Sequence, residues 1–103
     1  MNTEVKKQWL DALRSGTYRQ GYGTLRRNDQ FCCLGVLCDL VDKTKWEPPT
    51  HDGFRLYNYS YNYPDRAVAN KSGLTSAEFS YLATLNDNGT PFADIAQVIE
   101  EHY

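Results

Sequence analysis

The sequence predicts an α+β fold: a small, mainly helical domain with one short β-hairpin and an extended tyrosine-rich segment. Three observations lead there. Apolar residues recur at helical spacing near the N-terminus, in the middle and through the last third. A stretch punctuated by Gly21, Gly23 and Asn28-Asp29 separates the first two helical segments. Tyrosines alternate with polar residues over 57–63. At 103 residues the chain accommodates one domain, 1–103, around one core.

Val5, Trp9, Leu10 and Leu13 form the apolar stripe of a first helix, about Glu4 to Ser15, with Thr3 as its cap and Gly16 as its stop. Trp9 reads as a core anchor. Asn28-Asp29 is a turn between two extended pieces, Gly23–Arg26 and Gln30–Cys32. Cys33, Val36, Leu37, Leu40 and Val41 then fall at offsets of helical period, so a buried helix spans about Cys33 to Lys43. Gly35 lowers helix propensity there and marks a place for close approach of another backbone. Residues 44–64 form a long connection through Pro48-Pro49, and the period-two alternation near its end predicts a strand or extended arm with one aromatic face. A short helix follows Pro64, about Asp65 to Asn70. Thr75-Ser76-Ala77-Glu78 is a capping box for a helix to about Leu85, with Phe79, Leu82 and Leu85 as its spine. Thr90-Pro91 caps and begins the last helix, with Phe92, Ile95, Ala96 and Ile99 facing inward.

The formal net charge of -2 argues against non-specific capture of nucleic acid or anionic membrane. No apolar run approaches the ~20 residues of a membrane span. The amphipathic N-terminus lacks the apolar stretch of a signal peptide, so a cytoplasmic location is expected.

Cys32, Cys33 and Cys38 lack the Cys-x2–4-Cys spacing of a zinc site, and only His51 and His102 could complete a ligand set. On a helix, Cys33 and Cys38 point about 140° apart. Buried apolar cysteine is the preferred reading for Cys33 and Cys38, with Cys32 open. No Cys-x-x-Cys, nucleophile triad or His-Glu metal motif is present, so neither enzymatic activity, nor a metal, nor a cofactor is expected. The Gly21-x-Gly23 segment with Arg14, Arg19, Arg26 and Arg27 reads either as a glycine turn leading into a solvated hairpin or as a place suited to an anion, although it is neither a Walker loop nor a dinucleotide fingerprint. The last helix carries Asp94, Glu100 and Glu101 on its polar side, which speaks against DNA reading. Eight tyrosines are many for this length, and four fall within 57–63. Their faces suit stacking on a nucleobase or on a protein.

Three segments, WLDALRSGTYRQG, FCCLGVLCDL and LATLNDNGTPFADIAQVIE, resemble a group of short uncharacterised proteins encoded in tailed-phage genomes. The resemblance runs from the first helix to residue 43 and over residues 82–100; the tyrosine-rich middle lies outside it. It implies a phage origin, the cytosol of a host cell and, by analogy with other small phage accessory proteins, action against host immunity. The resulting expectation is a non-catalytic, homo-oligomeric protein that sequesters a nucleotide-derived immune signal. Arg14, Arg26 and Arg27 would hold phosphate, Tyr18 or the tyrosine run (Tyr57, Tyr59, Tyr61, Tyr63) would stack on a base, and Gln20, Asn86 and Asp87 would read polar groups. The alternative is a protein-binding inhibitor of a host defence factor that uses the tyrosine surface.

Overall fold

The computed structural model describes residues 1–103 as five α-helices and one three-stranded sheet. Helix α1 spans Thr3–Arg14, β1 Arg19–Gln20, β2 Arg26–Arg27, β3 Gln30–Phe31, α2 Cys33–Val41, α3 Arg66–Ser72, α4 Ser76–Asp87 and α5 Phe92–His102. The fold is α+β, as expected.

Helix α2 is the centre. Cys33, Leu34, Val36, Leu37 and Cys38 are all fully buried, enclosed by α1, α3, α4 and β3. Nine residues are too few for an autonomous helix, so burial must hold it. Each buried leucine or valine contributes roughly 1.5–3 kcal/mol toward that end. Helix α5 closes the molecule by packing its Ile95, Ala96 and Ile99 face against α1 and α4. Trp9 is the anchor expected: it is fully buried, and its Nε1 donates to the Cys33 carbonyl oxygen at 3.0 Å.

The expected hairpin is present, and it is shorter than predicted. β2 and β3 pair antiparallel around Asn28-Asp29, with Arg27 opposite Gln30 and Arg26 opposite Phe31. The sequence reading missed β1, which pairs parallel with β3 (Arg19 opposite Gln30, Gln20 opposite Phe31), so β3 is the central strand. Two residues are too few to show a period.

Four local expectations need correcting. Asn2 caps α1 by accepting the Val5 N–H at 2.9 Å, and Thr3 is already helical. Helix α2 stops at Val41 because Asp42 turns extended and uses its carboxylate to cap the 3-10 turn Lys43–Lys45. Pro91 stands before α5 as its N-cap, without a side-chain cap. The tyrosine-rich segment forms no strand: Tyr57 pairs with Ser60 across a two-residue turn, so the alternation never becomes one aromatic face. The Thr75–Glu78 capping box forms as read.

Gly35 does what its position suggested. A Cβ there would collide with the Leu25 carbonyl oxygen, which also accepts the Cys32 N–H at 3.1 Å and cannot easily retreat. Alanine normally gains about 1 kcal/mol over glycine inside a helix. Overpacking against anchored backbone outweighs that gain, so Gly35→Ala is expected to lower unfolding free energy by about 2 kcal/mol in denaturant titration.

Candidate functional site at the tyrosine loop

The polar residues singled out from sequence separate into two groups. Gln20, Asn86 and Asp87 do come together, but they bind the protein itself. Asn86 is fully buried. Its Oδ1 accepts from Gln20 Nε2 at 3.0 Å and from the Cys33 N–H at 3.2 Å. Its Nδ2 donates to the Gly21 carbonyl oxygen at 2.9 Å. Gln20 Nε2 also donates to the Thr90 carbonyl oxygen at 2.8 Å, and Asp87 Oδ1 accepts the Gly23 N–H at 2.9 Å. The amide of Asn86 thus joins β1, the start of α2 and the end of α4, with nothing left to offer a ligand.

Tyr18 is half-buried and donates to Asp39 Oδ2 at 2.5 Å, while Trp46 Nε1 donates to Asp39 Oδ1 at 3.0 Å. Burial, and then the bond to Asp39, push the Tyr18 phenol far above its ordinary pKa. Its ring begins a chain of edge-to-face contacts from Tyr18 through Phe31 and Trp46 to Tyr57, with centroids 5.1, 5.9 and 5.0 Å apart. This chain explains why Tyr57 is 1% exposed and unavailable as a stacking surface, contrary to expectation. It needs a buried aromatic at that position to cover Trp46.

The arginines do not form one site. Arg14 pairs with Glu100 of α5 at 2.8 Å. Arg26 lies over the Phe31 and Trp46 rings at 4.6 and 5.4 Å, and its Nε donates to the Asn28 carbonyl oxygen. Burial and neighbouring Arg55 lower its pKa. Arg27 stacks on Phe54 at 5.3 Å, and its Nε donates to the Asp52 carbonyl oxygen.

The cysteine question closes toward core. All three thiols are free and buried. Cys33 donates to the Leu82 carbonyl oxygen, and Cys32 caps α2 by accepting the Gly35 N–H at 3.4 Å. No three His, Cys, Asp or Glu side chains gather as a metal-binding group.

What faces outward is tyrosine. Tyr59 is 83% exposed, and Tyr22, Tyr61 and Tyr63 are exposed beside it in sequence or on the adjoining loop. Tyr59 sits at the tip of the Tyr57–Ser60 turn, where Asn58 and Tyr59 both have positive φ, 47° and 72°. Asparagine tolerates that conformation; for tyrosine it is unusual and costs roughly 1 kcal/mol or more. Several contacts hold it. The Asn58 N–H donates to the Lys45 carbonyl oxygen at 3.1 Å, Asn58 Nδ2 to Asp65 Oδ2 at 2.8 Å, and the Tyr59 N–H to Glu47 Oε2 at 2.7 Å.

The same loop borders three adjoining clefts. One, of about 520 Å³, lies between Tyr63 and helices α3 and α4. A second, of about 260 Å³, shares Tyr63 and reaches Asp87 and Cys32. A third, of about 470 Å³, shares Gly23, Thr24 and Asn62 with the second and ends at His51 and Phe54. Sequence reasoning missed Arg66, Ser76 and Ser80 of the first cleft. The one available signal was Ser76 and Ser80 spaced four apart on a helix face.

Two outcomes follow. Asn86→Ala should cost at least about 2 kcal/mol in denaturant unfolding, because it strands the buried Cys33 N–H and Gly21 carbonyl oxygen together. The buried thiols should make the fold alkali-sensitive. Burial pushes Cys32 from 9.0 up to about 11, and Cys33 and Cys38 well upward too. A group whose pKa is higher folded than unfolded stabilises fully below its unfolded value, and that stabilisation fades as pH rises toward the folded one. Melting temperature followed by circular dichroism should therefore fall from pH 9.0 toward about 11; a flat profile would contradict the buried thiols.

No curated protein and no solved structure matches the chain. A family model does match it along residues 1–103, and the chain belongs to that family, described as Domain of unknown function (DUF8296).

Proposed function

We propose that this is a non-catalytic binding protein that engages a protein partner through the tyrosine loop, with Tyr59 as the central contact and Tyr61, Tyr63 and Tyr22 around it. The observation that carries this reading is the Tyr59 turn. A glycine would relax the backbone at φ 72°. The chain instead holds a large aromatic there, almost fully solvated, with backbone and side-chain bonds from three segments fixing it in place. Strain maintained by surrounding contacts at an exposed aromatic is characteristic of a binding surface. Tyrosine is enriched among residues that dominate binding energy, since it offers a large rigid face and one hydroxyl.

The resemblance to short tailed-phage proteins supports a host defence factor, met in the host cytosol, as the partner. The competing expectation of phosphate capture by Arg14, Arg26 and Arg27 with Gln20, Asn86 and Asp87 has less support. The three arginines engage different elements, and the other three groups are spent on the fold.

Tyr59→Gly separates stability from binding. The variant should be as stable as the parent, or more stable by up to about 0.5 kcal/mol in denaturant titration, because relief of the αL strain offsets the added entropy of glycine. It should also lose the partner, read as affinity capture from host lysate followed by titration with the purified captured protein. Arg14→Gln should retain that partner. Full binding by Tyr59→Gly would sink the reading.

A further inference from the structure

The cleft between Tyr63 and α4 combines apolar walls with polar groups that the fold leaves unbonded. Most polar side chains around the β-sheet are bonded within the protein. At this cleft the Arg66 guanidinium, the Ser76 and Ser80 hydroxyls and the Tyr63 phenol have no intramolecular partner. The walls are apolar: Tyr63, Pro64 and Ala69, over a floor of Phe79. A volume of about 520 Å³ falls inside the range of small-molecule sites, roughly 300–1,000 Å³. An apolar slot with a few unspent donors at its rim is the composition such sites require.

Charge narrows the ligand. Asp65 borders the same cleft, but its two oxygens already accept from Val68 N–H at 3.0 Å and Asn58 Nδ2 at 2.8 Å. Arg66 is exposed and unpaired, so it is the cation left free for an incoming anion, and guanidinium fits phosphate oxygens in a fork. One free cation beside a carboxylate accommodates one phosphate; further phosphates would meet the Asp65 field.

We infer that this cleft binds a planar heteroaromatic ring carrying a single phosphate, the chemistry of a nucleoside monophosphate. The ring packs between Tyr63 and the Ala69–Phe79 floor, the phosphate meets Arg66, and Ser76 and Ser80 supply hydrogen bonds. This site shares Tyr63 with the rim of the proposed partner surface but does not include Tyr59, and it uses none of the arginines read from the sequence as phosphate ligands.

The test is an amide NMR titration of the full chain with the four common ribonucleoside 5′-monophosphates. Adenosine, ATP and inorganic phosphate serve as comparison probes. At least one monophosphate should shift the amides around Tyr63, Arg66, Ser76 and Ser80 saturably, and at least tenfold more tightly than adenosine, phosphate or ATP. Arg66→Gln should weaken it about tenfold or more. Ser80→Trp, which fills the cleft from an exposed helix position, should abolish it. Unchanged amide positions elsewhere report that both variants are folded, and Tyr59→Gly should bind as the parent does. The inference is overturned if no monophosphate saturates these shifts, if Ser80→Trp binds equally well, or if ATP binds as tightly as the monophosphate.

Discussion

Asn86 lies fully buried where the end of α4, the first strand and the start of α2 meet, and the arrangement of the molecule depends on that junction. The Cys33 N–H is one of the orphan donors at a helix start. The Gly21 carbonyl oxygen lies just past a strand only two residues long, beyond the reach of its ladder. A single carboxamide, with two donors and a two-lone-pair acceptor, answers both and also receives Gln20. Gly35 is the steric counterpart. It lets the Leu25 carbonyl oxygen rest on α2 while that oxygen accepts the Cys32 N–H. The buried helix therefore has its terminus fixed by Asn86 of α4 and its flank by the irregular segment before it.

A second constraint shapes the loop that carries the surface chemistry. Asp39 accepts from Tyr18 and Trp46 together, and the rings from Tyr18 to Tyr57 pack edge to face. Burying Tyr57 at the end of that chain fixes where the loop enters the core. The Leu25 N–H donating to the Tyr61 carbonyl oxygen at 2.7 Å fixes where it leaves. Between those two points the chain must reverse in two residues, which forces Asn58 and Tyr59 to positive φ and drives the Tyr59 ring into solvent. The exposed, strained position is thus a consequence of the buried tyrosine, while the large aromatic that occupies it is not required by the turn.

This division between spent and unspent groups separates scaffold from surface chemistry. A polar side chain whose hydrogen-bonding capacity is filled inside the protein cannot bind a ligand without undoing part of the fold. Asn86, Gln20 and Tyr18 are in that position, and Arg14 is held by Glu100. Tyr59, Tyr63, Arg66, Ser76 and Ser80 are not, and they lie along one loop and the two helices after it.

The sequence by itself determined the α+β class, the existence of all five helices, the capping box at Thr75, the Asn28-Asp29 turn and the burial of Cys33 and Cys38. Each of these rests on local periodicity or on a residue whose intrinsic geometry permits few alternatives. It also marked Gly35 as a point of close approach without naming the neighbour. Only the tertiary structure decided which way the polar residues face. Gln20, Asn86 and Asp87 read as a recognition set because their chemistry suits one, yet whether an amide meets a ligand or a buried N–H depends on partners up to 70 residues away in the chain. The tyrosine run failed for a related reason. Period two predicts a strand only if a second strand is available to pair with it, and here the pull of Trp46 on Tyr57 turned the chain before any ladder could form.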